Sequence, residues 1–478
     1  MKSTFNANVC LKSVILATVC LLFCLPLSAN NNQTARFQLP EFQAHTLDNG
    51  LQVFLMEHKE VPMIDVQLVF KAGAILDQKH PGLAQATADN LLFGTQKMSK
   101  VELEKFLEFR GVSLSSEASL ERTSLIASYL TRDNEQVLPI LADIATQAQF
   151  AEAEWLKYQK RRLDQLKRRK ESPSSVAYDY FKQLIYPNHP YQSIAEGTVA
   201  GIESANINSV RNFYNTYYRP DNAALVLVGD FDSKVMLKFI QRTFAAWQTP
   251  KAQLASMNIG KPKAPSEATV LLVNKADARQ STFYIGGPGI NYNDPDYIPL
   301  SVINTILGGR FTSWLNDALR VNAGLTYGAR SSFIRSSKAG SFAISTFTDT
   351  KTTEEAIDLA LTTYNRLWQP GIDAKTLDSA KAYLKGQFPP RYETSTQLAA
   401  FLASMFIHGY DKSYVNDFET KVNSLTQQQA QALVSRHFPK DNLQFLVIGK
   451  AEEIRDIVKK YGKVIEIDIN DAGFSIPQ

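Results

Sequence analysis

A turn followed by an apolar run occurs twice in this chain, and that recurrence restricts the fold more than any other feature. Pro220-Asp221-Asn222-Ala223-Ala224-Leu225-Val226-Leu227-Val228-Gly229 is matched by Pro439-Lys440-Asp441-Asn442-Leu443-Gln444-Phe445-Leu446-Val447-Ile448-Gly449. The two Asp-Asn pairs stand 220 residues apart. A period that long is a duplicated domain, since solenoid repeats are far shorter. A chain of 478 residues also exceeds what one ordinary core supports.

Around this repeat the same order of elements is expected in each half. Leu51 to Leu55 and Ile64 to Phe70 alternate as strands, the first entered through a turn at Asp48-Asn49-Gly50. Pro81-Gly82 opens a helix, Lys100 to Arg110 forms another closed by Gly111, and Ser113–Ala118 pairs with Ser124–Leu130. Helices follow over Asn134–Ala148 and from Ala151 to Lys170, with a break and restart at Ser172-Pro173. His189-Pro190-Tyr191 falls in a loop, and Val210–Tyr217 is helical. In the second half, Thr269–Val273 and Ser281–Gly286 read as strands, with Gly286-Gly287-Pro288-Gly289 as a turn. Pro299–Leu307 and Phe311–Val321 read as helices, and Tyr327–Phe333 and Gly340–Phe347 as a strand pair. The fold class is therefore α+β, with two homologous domains, each an antiparallel sheet with helices packed on one face. The expected boundaries are 1–29 for a signal peptide, 30–248 for the first domain, 249–268 for a Pro/Lys/Ala-rich linker and 269–478 for the second domain.

Composition removes several function classes. A net charge of +4 is too small to suggest nucleic acid. The densest basic run, Lys157 to Lys170, reads as the solvated side of an amphipathic helix with Trp155, Tyr158, Leu163 and Leu166 turned inward. Lys2 and Lys12 precede an apolar core at Ser13–Leu25, and Pro26-Leu27-Ser28-Ala29 supplies small residues suited to a signal peptidase. All three cysteines, Cys10, Cys20 and Cys24, lie within that segment. A mature chain would have no disulfide, thiolate metal site or cysteine nucleophile. No later stretch is apolar enough to span a bilayer, so the expected address is the bacterial periplasm.

Several short motifs share an order and spacing. They are Leu47-Asp48-Asn49-Gly50-Leu51-Gln52-Val53, Gly82-Leu83-Ala84, Phe93-Gly94-Thr95, His189-Pro190-Tyr191, Tyr218-Arg219-Pro220-Asp221-Asn222 and Gly229-Asp230. The second half adds Leu307-Gly308-Gly309-Arg310-Phe311, Leu319-Arg320 and Gly324-Leu325-Thr326-Tyr327. Together they resemble the pitrilysin/insulinase (M16) metallopeptidases along nearly all the mature chain. The resemblance implies two similar domains and, in shorter members, a clamshell built from two chains. It also implies a zinc helix carrying His-x-x-Glu-His between Gly82-Leu83-Ala84 and Phe93-Gly94-Thr95.

That register here reads Gln85-Ala86-Thr87-Ala88-Asp89. Catalytic zinc needs three imidazole or carboxylate ligands and an open position for water. Gln85 offers a neutral amide, Asp89 one carboxylate, and Ala88, where the general base should stand, no acid–base group. The third ligand implied by the resemblance falls at Gln165, with Asp164 one residue away. His80 is the only histidine near enough in sequence to substitute, and a single loop histidine is a weak candidate. No phosphate loop or Gly-x-Ser-x-Gly elbow offers other chemistry. No metal is therefore expected on this chain.

The resemblance also implies that an Arg and a Tyr from a C-terminal domain complete the active site of the facing domain. Arg320 and Tyr327 stand at that seven-residue spacing. Taken alone, Arg320 could equally pair with terminal carbonyls of its helix, and Tyr327 could be a strand-edge aromatic. Substrate binding in the family looks like strand addition, which places Ser115, Ser116, Glu117 and Ala118 on the receiving edge. The same polar residues would also protect an edge from aggregation. The function expected is that of a non-catalytic subunit in a periplasmic heterodimeric peptidase. Zinc would sit on a partner with intact His-x-x-Glu-His, and a peptide or unfolded polypeptide would be the substrate. The alternative is a peptide-binding chaperone or scaffold with no role in hydrolysis.

Overall fold

Two six-stranded sheets, one from each half of the sequence, carry the fold of this computed structural model, which describes residues 37–255 and 259–477. The expected signal segment lies outside the described residues. The first sheet comprises β1 (Gln43–Thr46), β2 (Gln52–Glu57), β3 (Met63–Phe70), β4 (Ser113–Ala118), β5 (Thr123–Leu130) and β6 (Ala223–Gly229), ordered β1-β2-β6-β3-β5-β4. The second comprises β7 (Thr269–Asn274), β8 (Gln280–Gly289), β9 (Arg330–Arg335), β10 (Gly340–Asp349), β11 (Gln444–Gly449) and β12 (Lys463–Asp468), ordered β12-β7-β11-β8-β10-β9.

The repeated apolar runs are the equivalent strands β6 and β11, buried at every residue and flanked alike. Each has one parallel neighbour, β2 or β7, and one antiparallel neighbour, β3 or β8. Most pairings are antiparallel, and the parallel ones gather towards one side of each sheet. Only the sixth strand differs in origin. β1 precedes the first repeat and pairs antiparallel with β2, whereas β12 follows the second and pairs parallel with β7.

Each sheet is covered on both faces, and here the halves interlock. One face of the first sheet, including Leu225 and Leu227 of β6, packs with helices of its own half. These include α1 (Leu83–Leu91) and α2 (Glu152–Arg169). In α2, Trp155, Tyr158 and Leu166 are buried while the basic residues between them face outward, as the amphipathic pattern requires. α3 (Pro173–Ile185) crosses to the second sheet. Its Val176, Ala177, Tyr180, Phe181 and Leu184 share a core with Leu271, Val273, Leu446 and Ile448. In return α4 (Ser395–His408), from the second half, packs on β3 and β6 of the first sheet. There Thr396 Oγ1 donates to Asp65 Oδ1 at 2.9 Å, Ser395 Oγ is 2.9 Å from His58 Nδ1, and Lys71 Nζ lies 4.4 Å from the Phe406 ring centre. The described residues from Leu39 onward accordingly form one compact unit. Between the sheets, the described residues of 249–268 form neither helix nor strand.

Two local expectations are corrected. Gly286 to Gly289 is not a turn. It continues β8, paired with β10 as far as Gly289 opposite Gly340. Pro288 is tolerated because β11 stops pairing at Gly286, so no second neighbour awaits the missing N–H. The segment Phe311–Val321 is not a regular α-helix either. After a turn through Ser313 it winds into a wide π-helix over Asn316–Asn322, closed by Ala323 N donating to Ala318 O at 3.1 Å. Asn316 Oδ1 accepts from Ala329 N at 2.9 Å and its Nδ2 donates to Arg310 O at 3.3 Å. That side chain holds the flanking loops to the widened turn.

The exchange of α3 and α4 predicts cooperative unfolding. Trp155 and Trp247 report on one half, Trp314 and Trp368 on the other. Variants retaining a single tryptophan should show coincident denaturant midpoints in both halves. Phe181→Ala should lower both midpoints together, at a cost of about 3–5 kcal/mol.

Candidate functional site

The helix α1, where the sequence motifs place a metal, starts where Gly82 takes φ 100°. A side chain there would also meet Gly197 Cα at 2.7 Å, so only glycine fits. Asp77, five residues earlier, satisfies the new helix: its Oδ2 accepts from Gly82 N at 2.6 Å and its Oδ1 from Ala84 N at 2.7 Å. Burial pushes the Asp77 carboxyl up to about 7, against the opposing pull of the Gly82, Ala84 and Leu83 N–H groups. Sequence reasoning passed over Asp77. An acid just before a Gly-opened helix was the available signal.

Along α1, Gln85 and Asp89 face one way, as residues four apart must. Their polar atoms are committed to each other and to neighbours. Gln85 Nε2 donates to Asp89 Oδ1 at 2.8 Å, and Gln85 Oε1 accepts from Ala118 N at 2.9 Å. Asp89 Oδ2 accepts from Tyr158 OH at 2.9 Å. Ser116 Oγ adds a bond to Ala88 O at 2.7 Å, while the Ala88 side chain is wholly buried. The result ties β4, α1 and α2 together. Burial raises the Asp89 carboxyl above its usual range, with the Tyr158 and Gln85 bonds and the Arg162 charge working against it. Burial and the facing Asp89 carboxylate push the Tyr158 phenol upward. Arg162, one turn along α2, is itself engaged by Glu196 at 2.5 Å.

These residues do not fit zinc. One carboxylate and one amide are present, both turned into hydrogen bonds, and no base stands at Ala88. Gln165 and Asp164 are exposed on α2, whereas the face of α2 that reaches Asp89 presents Tyr158. His80 is 2.9 Å from Ser204 Oγ and takes no part. Tyr158 and Arg162 were read from sequence only as members of an amphipathic helix; their role in this cluster appears only when α2 is laid beside α1.

β4 is an edge strand, paired only with β5. Ser115 and Glu117 are exposed, and Ser116 and Ala118 half-buried. Because Ala118 N is occupied by Gln85, the outward N–H groups left by alternation along the strand are those of Leu114 and Ser116.

Arg320 lies in the π-helix, and Gly324, at φ 66°, turns the chain out of it. Tyr327 belongs to the following loop rather than to a strand, since β9 begins at Arg330. Arg320 donates to no helix carbonyl among the described residues; its guanidinium lies 4.4 Å from the Phe311 ring centre. Tyr327 is 83% exposed, its ring 6.4 Å from that of Phe347. Phe311 and Val321 are exposed as well, so apolar groups stand beside Arg320 at the surface. No described helix is long and apolar enough to cross a membrane.

Asp89 gives a pH test. Its carboxyl titrates higher in the folded than in the unfolded chain, so the folded state holds the extra proton between the two values. Stability from this group is therefore lost as pH rises from the unfolded value near 3.8 through the raised folded value. Asp89→Asn should gain on the wild-type chain in urea midpoint between pH 4 and pH 8. Asp89→Ala, which strands the Gln85 amide and the Tyr158 hydroxyl, should cost about 1–3 kcal/mol.

The comparisons with known proteins agree with this geometry. Residues 53–199 match the family model described as insulinase (peptidase family M16), and residues 204–384 the one described as peptidase M16 inactive domain. The "Non-peptidase homolog YmxG" of Helicobacter pylori is 23% identical over 431 residues, covering 84% of this chain and 96% of that protein. The crystal structure of a peptidase M16 inactive domain from Pseudomonas fluorescens superposes with a TM-score of 0.80 at 24% identity, covering 86% of this chain and 98% of that one. The periplasmic protease PqqL from Escherichia coli superposes at 0.72 and 16% identity; this chain is covered over 89% and corresponds to 51% of PqqL. With both family models matched in order and the two-sheet fold shared, the chain belongs to the M16 (insulinase-like) peptidase family, as a homologue whose metal positions fit no catalytic metal.

Proposed function

We propose that this chain is the non-catalytic subunit of a zinc-dependent heterodimeric peptidase of the bacterial periplasm. The observation that carries the reading is a contrast between two places on the chain. The metal positions are closed into hydrogen bonds, whereas Arg320 and Tyr327 stand without a polar partner among the described residues on an exposed apolar surface. A guanidinium and a phenol offered in this way are donors awaiting an acceptor from outside the chain. The partner is an M16 subunit with intact His-x-x-Glu-His, which holds the zinc; the substrate is a peptide or unfolded polypeptide. Arg320 and Tyr327 bind the scissile carbonyl and stabilise the negative charge that develops on its oxygen. The signal-like N-terminus supports the periplasmic address, as does the fold shared with a protein described as a periplasmic protease.

The test is reconstitution. Alone, the purified chain should bind no stoichiometric zinc and cleave nothing. With the zinc-bearing subunit it should produce cleavage, which Arg320→Ala or Tyr327→Phe lowers by about 10²–10³-fold, the usual loss for one oxyanion donor. Chelator-sensitive cleavage by the isolated chain would overturn the reading.

A second reading rests on β4, whose outer edge keeps N–H groups at Leu114 and Ser116 available for a peptide strand. In that case the chain is a peptide-binding chaperone or scaffold with no role in hydrolysis, in keeping with the name of its Helicobacter relative, a non-peptidase homologue. Leu114→Pro, which removes one outward donor, should then abolish peptide binding, while Arg320→Ala leaves function intact.

A further inference from the structure

A cavity of about 580 Å³ lies where the two halves meet, away from α1, Arg320 and Tyr327. Its walls are the β4–β5 turn at residues 119–122, part of α3, the end of β9, the segment at Arg391 and α4 from Gln397 to His408. That volume falls within the range of small-molecule sites, roughly 300–1,000 Å³.

Arg122, Arg335 and Arg391 all line it, and none has a carboxylate within ion-pair distance among the described residues. Arg335 is held by rings: its guanidinium carbon lies 3.2 Å from the Tyr297 ring centre and 4.4 Å from that of Tyr292, and Nη2 donates to Tyr414 OH at 3.1 Å. The side chains of Arg122 and Arg391 make no hydrogen bond among the described residues. The remaining charged wall groups are engaged. Lys182 pairs with Asp179 at 3.1 Å and donates to Ser193 O at 2.7 Å. Glu121 accepts from Tyr191 OH at 2.7 Å, Ser337 N at 2.9 Å and Ser337 Oγ at 3.0 Å.

The positive excess is felt inside the wall. Burial, with the Arg122 and Arg335 charges adding to it, pushes His408 down to about 3, although the Glu121 carboxylate lies 3.7 Å from the Nδ1 of its ring. That ring stacks on Tyr292 at 3.6 Å and 10°. Tyr392, raised to about 12 by burial, is pulled back by Arg391 and Arg335. All three guanidinium-bearing residues line this one space. Apolar surface completes it: Phe401 and Tyr410 line the cavity side by side at 5.6 Å, while the two faces of Tyr292 are taken by His408 and Arg335.

We propose that this interdomain cavity binds an aromatic carboxylate, the carboxylate held by Arg122 and Arg391 and the ring packed against Phe401 and Tyr410. A planar guanidinium matches a carboxylate through two parallel N–H bonds, and the aromatic walls suit a flat hydrocarbon. The same chemistry occurs in a free arene carboxylate and in the C-terminal aromatic residue of a peptide. The site is independent of the Arg320/Tyr327 surface, so its failure would leave the subunit proposal untouched.

The experiment is a calorimetric titration of the full chain with 1-naphthoate, with the neutral 1-naphthalenemethanol, and with a short peptide ending in phenylalanine as free acid or as amide. Naphthoate should bind about tenfold or more tightly than the alcohol, and Arg122→Gln and Arg391→Gln should each weaken it by about tenfold, as expected for loss of one charge-assisted pair. Arg391 is exposed, so its variant should fold normally, and Lys238→Gln, a remote charge loss, should change nothing. A free-acid peptide that binds more tightly than naphthoate, its amide not binding, identifies the peptide source; the reverse order identifies the small acid. Equal affinity for acid and alcohol, no binding of naphthoate, or binding indifferent to both arginine variants would overturn the proposal.

Discussion

The constraint on which this structure depends is that each sheet has two apolar faces, while its own half supplies helices for one. β6 and β11 are buried at every residue, so a sheet bare on one side would leave half of each strand's apolar groups in water. The second face is covered by a helix from the other half: α3 on the second sheet, α4 on the first. Neither half can therefore leave the other without uncovering a core. The interdomain cavity is a product of the same exchange, since α3, α4 and the β4–β5 turn meet where the two helices cross over.

Within that frame, the former metal helix has become a joint. Three polar side chains that could have been left facing water are wired in series, from the backbone of β4 through Gln85 and Asp89 to Tyr158 of α2. A buried carboxylate without donors would be costly, and the two bonds to Asp89 offset that cost. Removal of metal chemistry thus has a physical counterpart. The site retains polarity, but every oxygen that could reach an ion is already an acceptor. The same wiring occupies one N–H of the β4 edge, which shortens the surface on which a peptide strand could add.

The other surface works by the opposite rule. The widened π-turn at Asn316–Asn322, the left-handed Gly324 and the loop to Ala329 present Arg320 and Tyr327 outward, with rings rather than carboxylates as neighbours. π-Turns tend to persist where they serve function. Here Asn316 holds the turn by bonding the loops on either side of it.

Local sequence determined much of this protein. The repeated Asp-Asn-strand runs set two equivalent sheets, the Gly82 and Gly111 positions set helix boundaries, and the basic run on α2 set which side of that helix faces water. These follow from periodicity, capping and backbone freedom, which act over a few residues. Gln85, Ala88 and Asp89 likewise fail, by residue type alone, to supply a catalytic zinc set. Tertiary structure decided what those residues do instead, because Gln85 and Asp89 find their partners at Ala118 and Tyr158, far along the chain. It also decided that Gly286–Gly289 is strand, since only the early end of β11 makes room for Pro288. The helix exchange and the gathering of Arg122, Arg335 and Arg391 around one cavity belong to the same class. Contacts between segments tens to hundreds of residues apart leave no local period to read, so only the folded chain could place them.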